Sequence, residues 1–196
     1  MTNDLAVTDQ LVTDQLVKDQ LVTEATVAWL EHFVIAENLC PFAKSPWAKG
    51  LVSLVISQAT SEANLAQDLH TQLERLAQAS PVKLETTLLI VPHMLADFLD
   101  FNDFLDLADA LLDELELVGQ IQIASFHPQY QFADTQVDDL SNFTNRSPYP
   151  ILHLLREDSI SQALESGQDA DQIVERNIDT VTKLGAARLA QLIAGV

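Results

Sequence analysis

The sequence predicts an α/β protein with about four strands in a mostly parallel sheet and helices flanking it. Three observations carry this. Leu51 to Ser57 and Glu85 to Val91 are short, almost continuously apolar and rich in β-branched residues, which suits strands covered on both faces. The segments between candidate strands read as helices at three- and four-residue apolar spacing. Strands separated by helices of that length favour parallel crossovers. A two-layer α+β sandwich is the alternative arrangement. With 196 residues, 47% of them hydrophobic, the chain is long enough to bury a core without disulfides or metal.

Taken in order, residues 8–22 are a tandem repeat: TDQLV, TDQLV, KDQLV. Five residues advance a helix by about 500°, so equivalent positions step about 140° around its axis and define no fixed face. In a strand an odd period flips the face at each copy. Residues 1–22 are therefore expected to be a flexible or loosely helical N-terminal extension, and residues 23–196 a single globular domain. Thr23 is the expected N-cap of a first core helix, with Val27, Leu30, Phe33 and Val34 as its buried stripe and Asn38 as its C-terminal cap. Pro41 stops the helix and places Cys40 in a turn just beyond it.

Strand 51–57 follows, then a helix over 60–79 with Leu65, Leu69, Leu73 and Leu76 on one side. Strand 85–91 comes next. Asp97 to Leu117 is expected to be helical, with Gly119 as its cap. Along it, Asp97, Asp100, Asp103, Asp106 and Asp109 recur every three residues. Calcium loops need a glycine turn, and a period of three drifts around a helix, so this row reads as a solvated face. Strand 120–126 alternates isoleucine with glutamine. About 25 residues of loop run from His127 to Pro150, longer than compact domains usually carry without a functional reason. Ile151 to Leu155 is the fourth strand. Asp158 caps a short helix ending at Gly167, and a last helical stretch from Asp169 to about Ala194 is expected to bend near Gly185.

Several short runs resemble one family. They are Asn38-Leu39-Cys40-Pro41-Phe42-Ala43-Lys44, Glu85-Thr86-Thr87-Leu88-Leu89, Ala124-Ser125-Phe126-His127-Pro128, Asn145-Arg146-Ser147-Pro148-Tyr149-Pro150, His153-Leu154-Leu155-Arg156-Glu157 and Glu175-Arg176-Asn177-Ile178. Together, over residues 24–185, they are similar to the bacterial domain-of-unknown-function family 1415. The resemblance implies a shared fold and shared motif residues. It brings no activity with it.

Charge narrows the function classes. The net charge of −19 leaves no basic footprint for nucleic acid, and it disfavours docking on anionic lipid. One cysteine forms no internal disulfide, and no apolar run is long enough to span a bilayer or serve as a signal peptide, so a cytoplasmic protein is expected. The acids are unevenly spread. None falls between Asn38 and Ser61, between Leu117 and Ala133, or between Ser141 and Arg156, although the chain has 29. If these stretches meet, they form a neutral-to-positive pocket in an acidic protein.

The expected partner is thus a small anionic molecule. Lys44, Arg146 and Arg156 would bind the anion, since arginine forks suit carboxylate or phosphate. Tyr149, stiffened by Pro148 and Pro150, would shape the site, and His153 would join it. Should the site be catalytic, Cys40 is the candidate nucleophile and His127, directly after a strand, the candidate acid/base. Each has a structural reading too: Cys40 as a small buried hydrophobe, His127 as a turn histidine bonded to backbone, His153 as a core histidine sharing a face with Ile151 and Leu155, Arg146 as an anchor for its loop. Two further functional readings stand beside the anion site: a non-catalytic interaction or adaptor protein, and a metal site built from Cys40, His127 and His153. No cofactor is implied, for there is no glycine-rich phosphate loop and no dinucleotide fingerprint.

Overall fold

The computed structural model describes residues 2–165 and 169–194. Four strands, β1 (Val52–Ile56), β2 (Thr86–Ile90), β3 (Ile121–Phe126) and β4 (Ile151–Arg156), form one open sheet in the order β1-β2-β4-β3. Each lies within a residue or so of its expected span. The sheet is mixed, which corrects the expectation of a mostly parallel one. β1 and β2 are parallel, whereas β4 runs antiparallel to both β2 and β3.

The reason lies in the connections. A helix, α3 (Glu62–Gln78), joins β1 to β2, and a helix, α4 (Phe98–Glu114), joins β2 to β3, so these strands share one direction. Between β3 and β4 there is only a 3₁₀ turn at Leu140–Asn145. This connection is long, but it carries no helix to pack across a face of the sheet, and the chain returns antiparallel, inserting β4 between β2 and β3.

Apolar cores cover both faces. On one face the side of α3 formed by Leu65, Leu69, Leu73 and Leu76, each 0% exposed, packs with Phe101, Phe104 and Ala108 of α4 over Leu89, Leu152 and Leu154. Full burial of each such leucine contributes about 2 kcal/mol. Ser61 and Asp97 cap the two helices with their side-chain oxygens. The acidic row of α4 is exposed at every position, as expected of a solvated face. Gly119 is not its cap; the left-handed residue that ends the helix is Glu116, at φ 56°.

The other face carries Leu88, Ile90 and Ile151 against Trp29, Leu30, Phe33 and Val34, and against Val181, Leu189 and Leu192 of α6 (Ala170–Ala194). α6 kinks at Gly185, whose φ of 74° is open to glycine and strained for other residues. A nine-residue helix, α5 (Glu157–Glu165), precedes it; Gly167, its expected terminator, lies outside the described residues.

The pentad repeat belongs to a single helix, α1 (Thr2–Trp29), which passes into a π-helical turn at Leu30–Ile35. Pairs at i and i+4, Gln15 to Asp19 and Gln20 to Glu24, support it from its own surface. Its apolar positions wind around the axis as the period dictates: among the side chains described, Leu16, Val17 and Leu21 are exposed and Val22 is buried in the core. Thr23 is not an N-cap. It sits inside the helix and donates its hydroxyl to the Asp19 carbonyl. Asn38 does end the π-helical turn in the left-handed region, at φ 53°, and so directs Cys40 back toward the sheet.

Candidate functional site

Beyond Asn38 the chain runs through Cys40-Pro41-Phe42 into a short helix, α2 (Lys44–Ala48), tied to the π-helical turn by a bond from Trp47 Nε1 to Glu31 Oε1 of 2.8 Å. Arg176 and Asn177 of α6 pin the same segment. They donate to the carbonyls of Asn38 and Leu39 at 2.8 and 2.7 Å. Held this way, the segment stands off the sheet and encloses a cavity of about 380 Å³. The sheet supplies the floor through Val52, Thr86, Leu88, Phe126, His153 and Leu155. Trp29, Leu30 and Val34 form one wall, Cys40 to Ala43 with Ser45 and Pro46 a second, and Ser159 and Ile160 of α5 a third.

All three acid-free stretches contribute to this cavity: the first through Cys40 and its neighbours, the second through Phe126, the third through His153, Leu155 and Arg156. The lining is chiefly apolar, and among the described residues Glu85 and Arg156 are its only ionisable side chains besides Cys40 and His153.

Cys40 and His153 share the cavity. Burial pushes the Cys40 thiol up from its usual value, against the opposing effects of the Phe42 and Ala43 backbone amides and the Arg176 charge. The sulfur is therefore a neutral thiol near pH 7. His153 lies on the interior strand β4, in register with Leu88 on one side and Ala124 on the other. Its Nε2 is 2.8 Å from Thr86 Oγ1. Burial pushes its imidazole down to about 4, so the ring is neutral at physiological pH.

His127 is on the opposite face. Phe126 packs on Trp29 and His153, and the next residue alternates to the far side, where His127 lies between Phe98 and Phe101. It is 0% exposed. Its Nε2 donates to the Leu95 carbonyl at 3.0 Å, and its Nδ1 accepts from the Gln129 amide at 3.0 Å. A neutral imidazole has one donor and one acceptor, so both are spent. Burial lowers its pKa, with the Leu95 bond and Asp97 opposing. The structure does not bring Cys40 and His127 together as a pair. Nor does it assemble the three-residue metal set, since the sheet separates His127 from Cys40 and His153.

Arg146 and Arg156 are used by the fold. Arg146 donates from Nε to the Tyr130 carbonyl and from Nη2 to the Val137 carbonyl, at 3.2 and 2.7 Å, and lies over the Phe143 ring. Trp29 Nε1 in turn donates to the Arg146 carbonyl. Asn142, 0% exposed, bonds Phe132, Thr135 and Gln136. The long loop is thus held from within by polar side chains. Lys44 is exposed and does not line the cavity. Tyr149 is half-buried beside the second core and also stays outside the cavity lining.

Arg156 does reach the cavity's edge. Its Nη2 meets the carbonyls of Leu76, Ala79 and Leu84 at 2.6, 2.6 and 3.2 Å, a clamp across the C-terminal end of α3, where a cation also suits the helix dipole. Arg156→Met is expected to lower stability by about 2–3 kcal/mol, measured by urea denaturation, because those carbonyls lose a charged donor.

Thr86 and Trp29 were not anticipated as site residues. A threonine within an aliphatic strand was the available signal for Thr86, but its value depends on the pairing of β2 with β4, which the order of the strands hides.

Fold and site together define a mixed α/β protein with a semi-enclosed apolar cavity against one face of its sheet. The chain belongs to the family described as protein of unknown function (DUF1415), whose model matches residues 21–191. The match begins within the last pentad, so most of the repeat lies outside it. No curated protein and no solved structure matches the chain.

Proposed function

We propose that this protein binds a small molecule, largely apolar with one polar group, in the cavity between the Cys40 segment and the sheet. The observation that carries the reading is the convergence of three separate acid-free stretches on one enclosure of about 380 Å³, a size suited to small ligands. Apolar walls would supply affinity, and the few polar groups on the floor would orient the ligand. The anionic form of the reading rests on Arg156 alone, whose guanidinium has no carboxylate within salt-bridge distance among the described residues. Catalysis at the site would draw on Cys40 with His153, the imidazole that shares its cavity. The adaptor reading would call for an exposed Phe42, Trp47 and Tyr149 patch; all three are half-buried, which favours the cavity.

The test is a panel of small aromatic and alicyclic alcohols, amides and carboxylates, screened by ligand-observed NMR and mapped by protein chemical shifts. Binders are expected to move the Trp29 indole and the His153 ring and to leave His127 unmoved. Binders that perturb only surface positions, or the absence of any, would reject the site.

A further inference from the structure

Thr86 Oγ1 has two close neighbours. The Leu154 carbonyl lies 2.6 Å away and His153 Nε2 lies 2.8 Å away. A hydroxyl has one hydrogen. Without that hydrogen on the Leu154 side, two oxygen lone pairs would face each other at 2.6 Å. The hydroxyl therefore donates to Leu154 and accepts from His153, so Nε2 carries the ring proton. Nδ1 is left with its lone pair. Among the described residues Nδ1 has no hydrogen-bond partner, yet it is not one of the sealed, unpartnered polar atoms. The cavity is the space onto which the ring opens.

Resting on the small-molecule reading above, we infer that His153 holds a fixed acceptor in the cavity and selects ligands whose polar group is a neutral donor, a hydroxyl or an N–H, over carboxylates and phosphates. A carboxylate would set its own lone pairs against Nδ1. To avoid this the imidazole would have to take up a second proton, which its burial opposes. An apolar ligand without a donor would leave Nδ1 dry and unpaired. The charged groups at this site do not overturn the preference: Glu85 disfavours an anion, and Arg156 is engaged by three backbone carbonyls.

Two measurements test this separately. The first is the tautomer of His153 in the free protein, read from long-range ¹⁵N–¹H correlations at about pH 7.5, where a neutral imidazole is expected. The Nε2–H form supports the inference. The Nδ1–H form or an imidazolium overturns it and leaves the cavity reading standing. The second is titration with benzyl alcohol, toluene and benzoate, followed at Trp29 and His153. Benzyl alcohol is expected to bind about five- to tenfold more tightly than toluene and benzoate. In His153→Phe, folded by circular dichroism, the alcohol's advantage over toluene is expected to vanish. Benzoate binding more tightly than benzyl alcohol would overturn the inference. If none of the three probes moves Trp29 or His153, the cavity reading falls and the inference falls with it.

Discussion

His127→Ala is expected to cost the protein about 3–5 kcal/mol of stability, more than any substitution of the exposed acids. The imidazole is fully buried between Phe98 and Phe101, so truncation opens a cavity between two aromatic rings. It also strands two partners, the buried Leu95 carbonyl and the part-buried Gln129 amide. Leu95 adds to the effect because it holds a positive φ of 56°, unfavourable for a branched apolar residue, and the bond from His127 fixes its carbonyl. His127→Phe would keep most of the packing and lose only the bonds, at about 2 kcal/mol. Urea denaturation followed by circular dichroism measures both. A loss below about 1 kcal/mol for His127→Ala would mean that the residue is not the structural tie described.

The second large effect is on the pH dependence of stability. His153 is held neutral, with its pKa pushed down to about 4 from 6.5. Above pH 6.5 the ring is neutral in both folded and unfolded chains, and the protein keeps its full stability. As pH falls below that, the unfolded chain takes up a proton that the folded chain refuses, and stability declines until the folded ring also protonates near 4. At about 1.4 kcal/mol per pH unit, the interval amounts to about 3 kcal/mol. His127, also lowered by burial, acts in the same direction. His153→Phe is expected to flatten the part of the slope that His153 supplies. Stability measured from about pH 7 down to pH 4 in both proteins checks this; equal slopes would contradict it.

The four strands could be read from the sequence because each is a short apolar run bounded by turn residues. The partners of those strands could not. β4 enters the sheet through a loop with no apolar periodicity, and nothing in Ile151–Arg156 marks it as an interior strand paired between β2 and β3. The same blindness divided the site residues. Alternation along β4 places His153 and Leu155 on one face, and acid depletion points to the stretches that meet there. Yet His127 and Arg146 are the residue types that a ligand site would use, and here they bond backbone carbonyls and amides of the long loop and its neighbours. A side chain's donors look the same in sequence whether a ligand or the chain itself receives them. The pentad repeat, expected to be flexible or loosely helical, is part of the helix α1. The helix there has no fixed apolar face; it carries i,i+4 polar pairs on its surface and is continuous with the buried part of α1 that reaches the core at Val22 and Trp29.

The most direct test of the cavity as a binding site is to fill it. Ser159 lines it from α5, and Ser159→Trp would place an indole in the enclosed space. Benzyl alcohol titrated against the unaltered protein and against Ser159→Trp, each verified as folded by its thermal transition, gives the comparison. The variant is expected to bind at least about tenfold more weakly, the ligand's volume being taken. Equal affinity in the two proteins would contradict it.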